Sequence, residues 1–64
     1  MYTPAEYDFT RAIELDPKNT DYRLNRANVR LLTGRKKEAR EDLDAMVGQG
    51  VPRASLVEWY KKCR

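Results

Sequence analysis

Ala5-Glu-Tyr-Asp-Phe-Thr-Arg-Ala-Ile-Glu-Leu-Asp-Pro17 is the stretch on which the fold turns. Ala5, Phe9, Ala12 and Ile13 follow one another at steps of four, three and one, which places them on one face of a helix. Thr3 is a good N-cap, Pro4 suits the first helical position, and Glu6 stands three residues after Thr3. This capping-box pattern predicts a helix from about Pro4 to Leu15. Asp16-Pro17 ends it, because the residue before a proline is driven out of the α region.

Working outward, Asn19-Thr20-Asp21 supplies polar caps for a second helix over about 20–32, and Gly34 can take the left-handed conformation that closes it. A third helix is expected over about 36–47, with Ala39, Leu43, Met46 and Val47 as its apolar stripe. Gly48-Gln-Gly-Val-Pro52 is the longest break. A fourth helix follows over about 52–62, with Leu56, Trp59, Tyr60 and Cys63 on one side. The Ser55-x-x-Glu58 spacing offers this helix a slightly later start. No segment sustains the two-residue alternation of a strand. The expected fold is therefore all-α, an antiparallel helix–turn–helix repeat of about four helices forming a single unit over 1–64.

Sixty-four residues make one small domain, marginal unless something staples it or stacks on it. Cys63 is the only cysteine, so no disulfide framework can form within the chain. There is no histidine, which removes the commonest general base and metal ligand. Charged residues make up 36% of the chain, of mixed sign, for a net +3. No apolar run is long enough to span a membrane, and Met1-Tyr2-Thr3-Pro4 does not resemble the start of a secretory signal. The expectation is a cytoplasmic protein with no catalytic residues, cofactor, metal or small-molecule substrate.

Residues thirty-four apart correspond: Ala5 with Ala39, Asp8 with Asp42, Phe9 with Leu43, and Ile13 with Val47. A helix–turn–helix unit of that period resembles the tetratricopeptide repeat. Ala5, Phe9, Ala12 and Pro17 resemble the end of one repeat, and Asn25-Arg26-Ala27, Gly34 and Ala39 resemble the next. The resemblance covers about residues 2–50 and implies roughly one and a half repeats plus a terminal helix. Tyr2 corresponds to the aromatic that precedes a repeat's second helix, so the first predicted helix would be a second helix whose partner is missing. Arg23 and Arg30 stand where the family usually has large apolar residues, Met46 replaces a small one, and Val51 replaces a second Asp-Pro-like stop. These departures imply that the array ends here, at the C-terminal end of a larger one.

Arg23, Arg26 and Arg30 share a face of the second helix and would repel one another unless acids offset them. Arg26 is expected to pair with Asp42, and Asp8 with Arg23 or Arg30. The alternative is a basic stripe for phosphates or acidic peptides.

The resemblance places Asp21, Leu24, Asn25, Asn28, Leu31 and Leu32 on a concave, protein- or peptide-binding face. Asn25 and Asn28 match positions of the family's carboxylate-clamp members, but Leu24 stands where a clamp lysine would be, which argues against a clamp. Leu24, Leu31 and Leu32 could instead form an apolar patch, covered either by this chain's own helices or by a partner helix. The unpaired first helix, with Tyr7, Phe9 and Ile13, raises self-association into a homo-oligomer as an alternative function.

Arg35-Lys36-Lys37 and Lys61-Lys62, with Trp59 and Tyr60, raise RNA binding as a weaker alternative. Glu38, Glu41, Asp42 and Asp44 read as a solvated, salt-bridged face rather than acid–base machinery. Cys63 reads as a packing residue rather than a thiol activated by Lys61, Lys62 and Arg64.

Overall fold

The computed structural model describes residues 3–64, so Tyr2 and the role expected of it lie outside the described residues. The elements are α1 (Pro4–Leu15), α2 (Thr20–Leu32), α3 (Lys36–Gly48), a 3-10 turn (Arg53–Leu56) and α4 (Val57–Lys62), with no strand among the described residues.

Local chemistry accounts for most of the boundaries. Thr3 Oγ1 accepts a hydrogen bond from the Glu6 amide at 3.1 Å and so caps α1. The reciprocal half of the box does not form, because the Glu6 carboxylate turns inward to arginines. Asn19 Oδ1 accepts from the Asp21 amide at 3.1 Å at the start of α2. Two glycines end α2 and α3 in the same way. Gly34 has φ +78° and Gly50 has φ +106°. The Arg35 amide donates to the Arg30 carbonyl at 2.8 Å and the Gly34 amide to Leu31 at 3.1 Å. The Val51 amide donates to Met46 at 3.1 Å and the Gly50 amide to Val47 at 3.0 Å. Both are Schellman closures, in which the positive φ lets orphan carbonyls of the last turn find donors.

The core lies between α2, α3 and the C-terminal turn. Ala27, Ala39, Leu43, Met46, Leu56 and Cys63 form one buried cluster, with Leu24, Leu31, Val47, Val51, Trp59 and Tyr60 packed against it. Ala27 and Ala39 are completely buried, and such small side chains let α2 and α3 pack closely. The Cα envelope measures 29 × 25 × 12 Å, a flat unit.

The C-terminal helix differs from the one expected over about 52–62. Pro52 leads into a 3-10 turn in which Ser55 donates from both its amide (3.0 Å) and its hydroxyl (2.7 Å) to the Pro52 carbonyl. That local competition for a carbonyl delays the α-helix to Val57. On α1, Ile13 is buried and Phe9 and Ala12 are half-buried, but Ala5 is exposed although it belongs to the apolar face read from the sequence.

Candidate functional site

Helix α2 has two faces of opposite character. Its inner face holds an ionic network that joins α1, α2 and α3. Arg26 Nε donates to both Asp42 carboxylate oxygens, at 3.0 and 3.2 Å, and Arg26 Nη1 donates to Thr10 Oγ1 at 3.1 Å. Arg30 Nε donates to Glu6 Oε2 at 2.8 Å, and its Nη1 to Asp42 Oδ2 at 3.0 Å and to the Glu38 carbonyl at 3.2 Å. Arg35 Nη2 closes the circuit on Glu6 Oε1, while its Nη1 reaches Glu38 Oε2 at 3.1 Å. Three guanidinium groups face three carboxylates, so the network is electrically neutral.

Glu6, Asp42 and Arg30 are buried at 0%, 2% and 8% exposure. A carboxylate in such a place is tolerable only if charged donors replace its water. Burial alone pushes the Glu6 carboxyl up. Hydrogen bonds from Arg35 and Arg30, with their charges, outweigh it and hold the group below the usual carboxylate range. The same contact, ahead of an opposing effect of burial, raises the Arg35 guanidinium further above its ordinary value.

The structure thus brings Arg26 and Asp42 together, but it corrects the second expected pair. Asp8 is exposed and joins neither Arg23 nor Arg30. Arg30 reaches Glu6 and Asp42 instead. Arg23 forms no ion pair among the described residues, and its Nε is buried without a hydrogen-bond partner. Three charged members of the network lie outside the pairs expected from the sequence: Glu6, Arg35 and Glu38. The capping box accounts for Glu6 locally; the signal for its inward role is its place one turn from Phe9 on the half-buried side of α1. The acids of α3 also separate: Asp42 is internal, Glu38 serves the network, and Asp44 accepts the Tyr60 hydroxyl at 2.6 Å. They do not form one solvated face.

The outer face of α2 is a stripe. Asp21, Asn25, Asn28 and Leu32 recur at helical spacing and all are exposed, Leu32 at 78%. Leu24 and Leu31 flank the stripe but pack against the core cluster, so the three leucines do not form one open patch. The stripe is polar along most of its length and ends in a single exposed leucine.

Elsewhere, Cys63 is buried, and burial pushes its thiol up; the charges of Arg40 and Lys36 oppose this only in part. Lys61, Lys62 and Arg64 do not activate it, and Cys63 packs in the core cluster as expected. Tyr60 is likewise raised, by burial and then by its bond to Asp44. No helix among the described residues is long and apolar enough to cross a membrane.

A family model described as tetratricopeptide repeat matches residues 9–41, more than half of the chain. The match spans most of α1, all of α2 and the first half of α3, the three helices that the ionic network ties together. No curated protein and no solved structure gives a significant match.

Proposed function

Because the chain belongs to the tetratricopeptide repeat family, we propose that it is a protein-interaction module, with no catalysis of its own, whose binding face is the outer stripe of α2. The observation that carries this is the division of α2. One side is immobilised by buried ion pairs to α1 and α3, and the other presents Asp21, Asn25, Asn28 and Leu32 to solvent. A rigid helix with exposed amides and one exposed leucine suits a peptide that brings hydrogen-bonding groups and a single apolar anchor. Peptides selected from a displayed library on the intact chain test this. Asn25→Arg with Leu32→Glu should weaken the selected peptides at least tenfold, and Glu14→Arg on exposed α1 should not. Equal binding by all three proteins would overturn the assignment.

A second reading, self-association or stacking on a neighbouring repeat, is supported by the repeat correspondence itself. Ala39, Asp42 and Leu43 are buried, whereas their counterparts Ala5 and Asp8 are exposed and Phe9 is half-buried. The fourth pair reverses this, with Ile13 buried and Val47 half-buried, so the open part of the α1 face is confined to Ala5, Asp8 and Phe9. A further helix, from an adjoining repeat or a second copy, would complete it and place this unit at the end of a larger array. Sedimentation across a hundredfold concentration range distinguishes the second copy: a concentration-dependent mass is expected for it, and a constant monomer mass excludes it.

A further inference from the structure

The net charge of +3 is not spread over the fold. Residues 1–52 contain nine Lys and Arg and nine Asp and Glu. Residues 53–64 contain Arg53, Lys61, Lys62 and Arg64 against the single acid Glu58. The whole side-chain excess therefore sits on the 3-10 turn and α4.

Three of those cations border one cleft. A cavity of about 220 Å³ is lined by Arg53, Val57, Tyr60, Lys61 and Arg64. Val57 is 44% exposed, so apolar surface meets the opening. The Arg53 guanidinium lies 4.8 Å from the centre of the Tyr60 ring, and the Tyr60 hydroxyl is bonded to Asp44, so the ring is fixed at its face and its tip. Lys61 meets Glu58 at 3.5 Å with both side chains largely in solvent, a weak pair that a better acceptor displaces. Arg53 and Arg64 form no ion pair among the described residues. The cleft thus offers an apolar floor with cations around it.

We propose that this cleft binds an acidic peptide segment, seating one aliphatic or aromatic side chain on Val57 and Tyr60 while flanking carboxylates pair with Arg53, Lys61 and Arg64. Arginine forks take carboxylates in two parallel bonds, which fixes the peptide as well as attracting it. A nucleic acid fits less well. The cleft holds a single aromatic ring, Tyr60, beside the aliphatic Val57, where a strand of stacked bases needs several rings, and Lys62 lies 4.8 Å from the centre of the Trp59 ring. The site lies outside the α2 stripe and stands or falls independently of it.

The test is titration of the isotope-labelled full chain with the capped peptide Asp-Glu-Leu-Phe-Asp-Glu, followed by amide chemical shifts. Shifts should concentrate in residues 53–64. Arg53→Ala with Arg64→Ala should weaken binding at least tenfold without lowering the melting temperature, and so should replacing Leu-Phe of the peptide by Ser-Ser. The shift map of the unaltered chain decides the location even if a variant loses stability. Shifts centred on α2, undiminished affinity of the double variant, absence of binding at low salt, or tighter competition by a hexauridine strand would each overturn the proposal.

Discussion

A carboxylate with no exposed surface needs cations in place of water, and Glu6 has Arg30 and Arg35. Because the fold lowers the Glu6 proton affinity, the charged form is favoured in the native state. That contribution is fully present above the unfolded value, about pH 4.3, and is lost as pH falls through the lower folded value. Glu6→Gln should therefore melt at a lower temperature than the parent at pH 7. Its melting temperature should also fall less between pH 5 and pH 3; parallel curves would contradict the assignment. Gly34 offers a second check. A Cβ there would meet no atom within 4 Å, so only the positive φ is at stake. Gly34→Ala should cost about 1–2 kcal/mol in chemical denaturation, and an unchanged midpoint would mean that the closure relaxes freely. Individual residues were unevenly legible in the sequence. Gly34 announced itself because few residues tolerate that backbone. The inward turn of Glu6 did not, because a capping box describes a local bond and says nothing about where three helices converge.

Helices were easier to read than their contacts. Thr3-Pro4, Asp16-Pro17, Asn19 and Gly34 mark ends by chemistry confined to a few neighbouring residues, and that chemistry survives folding. The C-terminal α-helix starts later than the span 52–62 implies and nearer the start offered by Ser55-x-x-Glu58, because Ser55 bonds back to the Pro52 carbonyl. On α2, helical spacing showed that Arg23, Arg26 and Arg30 share a side, and the repeat correspondence suggested Asp42 as a counter-ion. It also suggested Asp8, wrongly, because Asp8 faces no neighbouring helix as Asp42 does. At this scale the testable quantity is the coupling between helices. Arg26→Ala leaves the buried Asp42 with Arg30 alone, and Asp42→Ala takes an acceptor from both arginines, so each should destabilise by about 1–3 kcal/mol. Made together, they should lose about 1–3 kcal/mol less than the sum. Strict additivity in thermal melts would show that the two contribute independently.

At the scale of the molecule, a unit whose Cα atoms span 12 Å in its thin direction has little interior, and its apolar cluster is braced by a charge-neutral network instead of a deeper core. Such a unit gains stability from whatever packs beside it, as repeat units do. A helix docked on α1 should raise the melting temperature in proportion to the logarithm of its concentration, whereas salt should have only a modest effect on that gain. The neutral body and the basic tip have one more consequence. Residues 1–52 carry no net side-chain charge while 53–64 carry all of it, which makes the molecule an electric dipole as well as a cation. In the field of an acidic partner it would rotate before it touches, arriving tip first. Raising the salt concentration should then slow encounter more than it shortens the life of the complex, so the final helix governs how quickly a partner is found.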